Sequence, residues 1–373
     1  MLRQTWLRRT WAAISTEAAV HNYREVRKAV GDSCRIMAIV KADGYGHGAV
    51  PMAKAFVEAG AEWLGVSNLC EAIELREAGL SRPILILGYT PPSEAGVLSE
   101  LNVTQTVADF EYAEDLEMAA AELGVTVRVH VKVDTGMSRL GFRYSGDEGE
   151  RAVDDIAAAC AMPHLIAEGL FTHFALADAE SEEPTRKQFA LFNELSERLR
   201  ERGVTFAIRH CCNSAATVRF PEMHLDMVRP GLLLYGCMPD RGLPALPLIP
   251  AMTLKTVVAQ VKTVPAGVAV SYGGTAVTTR ESVLATVPVG YADGLPRAAS
   301  NVAVMKSKNG ELPIFGRVCM DQCILDCTES PVRAGDEIIL FGPTMPVERL
   351  AEASQTISYE ILCRVGQRVP RVY

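Results

Sequence analysis

The sequence predicts a parallel (β/α)8 barrel followed by a smaller, mostly antiparallel β domain. Short runs rich in Val, Ile and Leu alternate with helical stretches between residues 14 and 245. Beyond the proline-rich stretch LPALPLIP (243–250) the alternation gives way to short strands separated by Gly, Pro and Asp. A chain of 373 residues also exceeds one ordinary core and suits two domains.

In order along the first part, RIMAIV (35–40), EWLGVS (62–67), PILILG (83–88), VTVRVHVKV (125–133), AEGLFTHF (167–174) and VTFAIRH (204–210) read as strands. Several are apolar almost throughout, as strands covered on both faces are. Ser15 and Thr16 suit the N-cap of a helix that places Ala19, Tyr23, Val26 and Val30 on one face. A second helix runs from about Glu182 to Arg202 and ends at Gly203. Alternation over this length matches the ~250 residues of a barrel, with a doubly wound open sheet as the alternative. Further on, MTLKTVVAQVKTV, SVLATVPVG, NVAVMKS, LPIFGRVCM and DEIILFG read as strands, and helix is clearest near 346–364.

Composition narrows the function. Hydrophobic residues make up 49% and charged residues 22%, the balance of a globular protein, and the net charge of −8 argues against a nucleic-acid partner. No apolar run approaches the ~18 residues of a membrane span, and no signal-peptide core follows the N-terminal arginines. Ten cysteines without a secretion signal are expected to stay reduced, in the cytoplasm. Cys319, Cys323 and Cys327 are evenly spaced but have no CxxC pair or neighbouring histidine, so they read as strand thiols rather than a metal site.

The strongest chemical signal follows RIMAIV at once: Lys41-Ala-Asp-Gly-Tyr45-Gly-His-Gly48. It puts a lysine at the C-terminal end of a buried strand, where barrel enzymes build their sites. Such a lysine can join a carbonyl cofactor if desolvation lowers its pKa; the plainer reading is a lysine reaching out of the barrel mouth. The run VKADGYGHG resembles the N-terminal signature of the alanine racemase family, amino-acid racemases that use pyridoxal 5′-phosphate (PLP). The resemblance implies that Lys41 holds PLP covalently and that Tyr45 contacts its phosphate.

Further blocks resemble that family in the same order. VKVDTGMSRLGF (131–142) implies that Arg139 lies near the cofactor's phenolic oxygen and the substrate carboxylate, with Lys132 at a position often carbamylated in the family. LFTHFALAD (170–178) supplies His173, and Asp178 matches a substrate-corridor position. HCCNSAA (210–216) supplies Asn213 and Ser214 before a helix, and MVRPGLLLYG (227–236) supplies Arg229, Gly231 and Leu232. By resemblance Ser214 and the backbone at Gly231 and Leu232 complete a phosphate cup, and Arg229 faces the pyridine nitrogen. An arginine is always charged and only donates, so that nitrogen stays unprotonated. The weaker electron sink favours racemisation over transamination.

AVSYGGT (269–275) resembles the block carrying the family's second base, which falls on Tyr272, opposite Lys41. A free tyrosine has pKa ~10, so its base form needs cationic or donor neighbours; His173, next to Arg229, is the relay the resemblance implies. The family resolves the distance between Lys41 and Tyr272 along the chain with a head-to-tail homodimer. In it Tyr272 and Met320 of GRVCMDQ (316–322) enter the partner's site. Tyr291 and Arg297 of VGYADGLPR (289–297), with Arg317, match corridor positions. Tyr359 of ISYEILC (357–363) matches a tyrosine of both phosphate site and corridor, although Ser358 stands where asparagine is usual.

The resemblance runs from TWAAIS (10–15) to Tyr359. It implies a PLP-binding barrel over 14–245, a second domain made of 1–13 and 246–373, and racemisation of L- and D-alanine that supplies peptidoglycan precursors. Serine or a wider range of small amino acids is the alternative substrate. A non-catalytic PLP carrier lacks the second domain, and PLP decarboxylases put an acid where VRPG puts Arg229. The expected partners are an amino acid and a second copy of the chain.

Overall fold

The computed structural model describes residues 9–146, 149–240 and 242–373; residues 1–8 of the expected second domain lie outside them. Contacts divide the chain into two units. One comprises Val20–Gly44 and Ala49–Leu248; the other takes the chain up to Ala19, Tyr45–Gly48 and Ile249–Tyr373.

Strand β1 (Thr10–Ile14) belongs to the second unit. The first unit is a ring of parallel strands: β2 (Arg35–Ile39), β3 (Trp63–Val66), β4 (Ile84–Ile86), β5 (Val103–Val107), β6 (Val127–Asp134), β8 (Leu165–Phe171), β9 (Ile208–His210) and β10 (Met227–Val228). A short β7 (Phe142–Arg143) pairs with the end of β6, off the ring. The order is β10-β2-β3-β4-β5-β6-β8-β9. The last gap is bridged by the Asp226 N–H donating to Arg209 O (3.1 Å) and the Arg229 N–H to Cys212 O (2.9 Å). Eight parallel strands thus make a nearly closed barrel, and the open-sheet alternative falls.

Ile36, Met37, Leu64, Val66, Leu85 and Leu170 are fully buried, which accounts for their unbroken apolar runs. Ser15 Oγ accepts from the Ala18 N–H at 3.0 Å and caps helix Thr16–Val30. That helix buries Ala19, Tyr23, Val26 and Val30. Helix Glu183–Glu201 buries Phe192, Leu195 and Leu199, each worth about 1.5–3 kcal/mol. The strand expected over 204–210 is shorter, Ile208–His210, because the Val204 N–H still closes the preceding helix onto Leu199 O.

In the second unit, β11 (Met252–Val257), β12 (Gln260–Val264), β13 (Ala269–Val270), β14 (Ala276–Val277), β15 (Ser282–Val287), β16 (Val304–Ser307), β17 (Gly310–Pro313), β18 (Cys323–Asp326), β19 (Glu337–Phe341) and β20 (Arg371–Val372) form three sheets with β1. Among the described residues of this unit only the β1–β20 pair is parallel. LPIFGRVCM is not one strand: β17 ends at Pro313, Ile314 makes an isolated bridge to Leu325, and Gly316 turns the chain with φ 90°. Residues 316–320 continue as a loop, so Cys319 is not a strand thiol. Among the described residues no helix is long and apolar enough to cross a membrane, and no group of His, Cys, Asp and Glu is placed to hold a metal.

Candidate active site

The C-terminal ends of the barrel strands collect most of the side chains singled out above. Lys41 follows β2, Lys132 lies near the end of β6 with Arg139 in the loop beyond, and His173 follows β8. Asn213 and Ser214 follow β9, and Arg229 follows β10. All share the barrel rim on which this architecture places chemistry.

Lys41 opens an unusual turn. Ala42, Asp43 and Gly44 have φ/ψ near 54°/51°, 53°/47° and 58°/47°, and Tyr45 has φ 52°. The chain therefore makes a left-handed helical turn directly after the lysine. L-residues avoid this conformation by about 1–2 kcal/mol each, and only Gly44 escapes the penalty. Backbone strain held at one point is a mark of functional sites.

Arg229 is 4% exposed, and its guanidinium is surrounded by acceptors on the barrel wall. Nη1 meets His210 Nδ1 at 2.8 Å, and Nη2 meets Thr172 O at 2.9 Å, Cys211 O at 3.1 Å and His173 Nδ1 at 3.2 Å. Because arginine only donates, both histidines must accept through Nδ1 and carry their hydrogen on Nε2. His210 Nε2 in turn meets His130 Nδ1 at 2.8 Å. Burial and the Arg229 charge push His130 down to about 3, and the same causes hold His173 and His210 well below the usual histidine range. All three are neutral near pH 7. Burial lowers Arg229 itself to about 10, which leaves it charged.

The rim is strongly positive. Burial, then the charges of Arg229 and Arg139, push the Lys132 amine down to about 7, with Lys41 adding to the effect. Lys132 is 5% exposed and its Nζ lies 4.9 Å from the centre of the Phe171 ring. A carboxylate acting on it, Asp134, already accepts from the N–H groups of Gly136, Met137 and Ser138 through Oδ1. Among the described residues Arg139 is exposed and makes no hydrogen bond or ion pair. Lys41, Arg139 and Arg229 gathered around a Lys132 that is charged only in part call for an anion.

Two short helices offer a place for one. Asn213 Oδ1 accepts from the Ala216 N–H at 3.0 Å and caps helix Ser214–Arg219. Ser214 Oγ accepts from the Gly231 N–H at 2.8 Å, and the 3-10 helix Leu232–Tyr235 starts there. The first N–H groups of each helix have no acceptor inside it. The Ser214 hydroxyl and the first N–H groups of the two helices thus form a set of donors, with the Gly231 N–H already given to Ser214 Oγ.

In the second unit, Tyr45 is buried with its ring 6.0 Å from that of Tyr359, and burial raises its phenol pKa. Tyr272 is 72% exposed at the tip of a turn in which Ser271 and Gly273 both have positive φ. The Ser271 hydroxyl donates to Arg317 O at 2.7 Å, which ties this turn to the loop carrying Arg317. The Tyr291 N–H donates to Cys319 O and the Ala292 N–H to Met320 O, both at 3.0 Å. Tyr272, Tyr291, Arg297 and Met320 are all exposed. Asp178 is exposed on the barrel unit.

Sequence reasoning passed over His130 and His210, although His210 stands in the quoted block HCCNSAA. The available signal for His210 was a histidine at a strand end, with an arginine at the end of the next strand.

Comparison with known proteins covers the whole of this arrangement. The N-terminal domain of alanine racemase matches residues 14–239 and the C-terminal domain residues 251–373. The alanine racemase of Desulforamulus reducens is 48% identical, over 97% of this chain and 98% of its own. That of Desulfovibrio desulfuricans is 47% identical, over 98% of each chain. The solved alanine racemase of Streptomyces coelicolor A3(2) superposes with a TM-score of 0.93 at 38% identity, over 100% of this chain and 99% of that one. With both halves matched end to end and the same barrel beneath them, the chain belongs to the alanine racemase family.

Proposed function

We propose that this protein interconverts L- and D-alanine with PLP as cofactor, providing D-alanine for cell-wall peptidoglycan in the cytoplasm. The observation that carries this reading is the cationic rim of Lys41, Lys132, Arg139 and Arg229 beside the donor set at Ser214 and Gly231. It fits PLP point by point: an amine for the aldehyde, backbone and hydroxyl donors for the phosphate, and a donor-only guanidinium for the ring nitrogen. When bound, PLP supplies the electron sink that makes the Cα–H of an amino acid acidic.

The protein's own groups do the rest. Lys41 and Tyr272 move protons on opposite faces of Cα, and Arg139 with Met320 holds the substrate. Asn213, Ser214, Gly231, Leu232, Tyr45 and Tyr359 hold the phosphate. Asp178, Tyr291, Arg297, Arg317 and Tyr359 line the approach. The domains are a barrel over 14–245 and a second domain of 1–13 with 246–373, and two copies pair so that Tyr272 of the partner subunit completes each site. The exposure of Tyr272 and Met320 supports that pairing, since large apolar side chains at a surface tip are suited to an interface. His173 helps keep the phenol ionisable: its Nε2 carries the hydrogen and can donate to a phenolate.

The test is chiral chromatography of L-Ala, L-Ser and L-Lys incubated in heavy water with PLP-loaded protein. Alanine should racemise fastest and take up deuterium at Cα. Preference for serine would move the substrate, and no Cα deuterium in any amino acid would end the racemase reading. Run on Arg229→Glu, the same assay should show more keto acid per racemic turnover, because an acid partner protonates the ring nitrogen. An unchanged ratio would defeat that electronic role.

Lys132 adds a pH signature. A neutral amine attacks carbon dioxide, forming an N–C bond and releasing a proton to leave an anionic carbamate that a guanidinium such as Arg139 holds well. With the amine at about 7, uptake should grow as pH rises through that value and fade below it. Carbon-13 NMR of protein in labelled bicarbonate should show the signal, absent in Lys132→Ala. A signal that survives this substitution belongs elsewhere.

A further inference from the structure

We infer that Glu71 is a positioning residue for Lys41: its carboxylate clamps the left-handed turn behind the lysine and so sets where the amine points. The inference rests on the PLP reading given above. Glu71 lies in the first turn of helix Leu69–Glu77, just beyond β3, and its own N–H donates to the N-cap Asn68 Oδ1 at 3.1 Å. One carboxylate oxygen accepts from the Ala42 N–H at 2.8 Å and the other from the Ser67 N–H at 2.7 Å. The carboxylate therefore bridges the backbone just past two adjacent parallel strands, β2 and β3.

The Ala42 N–H belongs to the peptide that directly follows Lys41. Holding it fixes rotation about the Lys41 Cα–C bond, and with it the direction of the Lys41 side chain. Other bonds secure the same turn, among them Gly44 N–H to Val40 O at 2.9 Å and Ala49 N–H to Asp43 Oδ1 at 2.8 Å. The first holds the peptide before Lys41, and neither holds the peptide after it. A carboxylate is acceptor-only and so can serve both N–H groups at once, whereas glutamine must turn its NH2 towards one of them. The charge is retained in an unfavourable setting. Burial and the nearby charges of Asp43, Glu71 and Glu77 raise the pKa of Glu74, so a neutral residue at 71 would ease local repulsion.

The experiment uses the full chain stripped of PLP. In Glu71→Gln, covalent attachment of added PLP, followed by absorbance and by borohydride trapping, should slow about tenfold. Affinity for pyridoxine 5′-phosphate, which has no aldehyde, should stay at the wild-type value. Amide hydrogen exchange at Ala42 and Ser67 should rise. Adding Ala42→Gly, which tolerates the left-handed conformation, should restore most of the attachment rate. If Glu71→Gln does not fold, Glu71→Asp, one methylene short of Ala42, should give the same pattern at smaller amplitude.

An unchanged attachment rate overturns the inference. So does a parallel fall in analogue affinity, which would make Glu71 a general structural support. If wild-type protein itself takes up no PLP, the racemase reading fails. The exchange comparison then decides the clamp by itself, and unchanged protection at Ala42 and Ser67 overturns it.

Discussion

Lys41→Ala is expected to give a folded protein that no longer bonds PLP covalently and that loses racemisation by at least about 10⁴-fold. The loss should be chemical rather than structural. Lys41 is only half-buried, and its charge disfavours the protonated forms of Lys132 and His173, so removing it makes the rim easier to charge. The melting temperature should hold or rise, and Lys132 should become more basic. The real competitor for the aldehyde is Lys132, whose amine is pushed to about 7 and is therefore largely neutral at physiological pH. Reactivity alone would favour it. Access favours Lys41, because Lys132 is 5% exposed against the Phe171 ring whereas Lys41 stands past the strand end. Borohydride trapping followed by peptide mass spectrometry separates the two. Label on Lys132, or label persisting in Lys41→Ala, would remove Lys41 from its assigned place.

Much of the architecture was legible because apolar runs bounded by turn residues map onto buried parallel strands. The misses have specific causes. Strand β5 reads Val-Thr-Gln-Thr-Val, a polar pattern, yet Thr104, Gln105 and Thr106 are all buried. Their donors are satisfied: Thr104 Oγ1 donates to Glu168, Gln105 Nε2 to Gly88 O and Thr106 Oγ1 to Ile86 O, while Gln105 Oε1 has no partner among the described residues. Hydropathy cannot anticipate partners supplied by neighbouring strands. Strand β10 has two residues, too few for any periodicity. LPIFGRVCM misled because its apolar residues anchor a loop against β18 and the Tyr291 turn rather than a pleat.

The site was legible in a different way. Motif blocks named side chains, but not the conformation that presents them. The glycines at 44, 46 and 48 allow tight turns, yet Ala42 and Asp43 before them already adopt the left-handed form. The alanine side chain does not signal this, and the Ala42 N–H is held by a carboxylate from the next helix, Glu71. The histidines beside Arg229 are similar. Their tautomers follow from a donor-only neighbour, which is one strand end away from His210 and two from His173. Close packing shows the same dependence: a Cβ on Gly169 would lie 2.5 Å from the His130 ring, so this glycine is a space for a neighbour rather than a hinge.

Tyr272→Phe should leave stability unchanged and reduce racemisation by about 10²–10⁴-fold, the worth of a positioned acid–base group. At 72% exposure the phenol makes little packing contribution, and removing one oxygen alters no core. The two faces of Cα then behave differently. Lys41 still serves its own face, so one enantiomer of alanine should exchange its Cα hydrogen for deuterium without inverting, while the other stays inert. Equal exchange of both enantiomers would mean that another group replaces the phenol or that Tyr272 was never the second base. Mixing adds the quaternary test. If each site takes Lys41 from one subunit and Tyr272 from its partner, a mixed dimer of Lys41→Ala and Tyr272→Phe chains holds one site with both defects and one with neither. Random exchange makes half the dimers mixed, each with one of two sites intact, so roughly a quarter of wild-type activity should return. Sites built within single chains would leave every site in the mixture with one defect. Verified subunit exchange without regained turnover would therefore show that each chain works alone, and the exposed tyrosine would need another explanation.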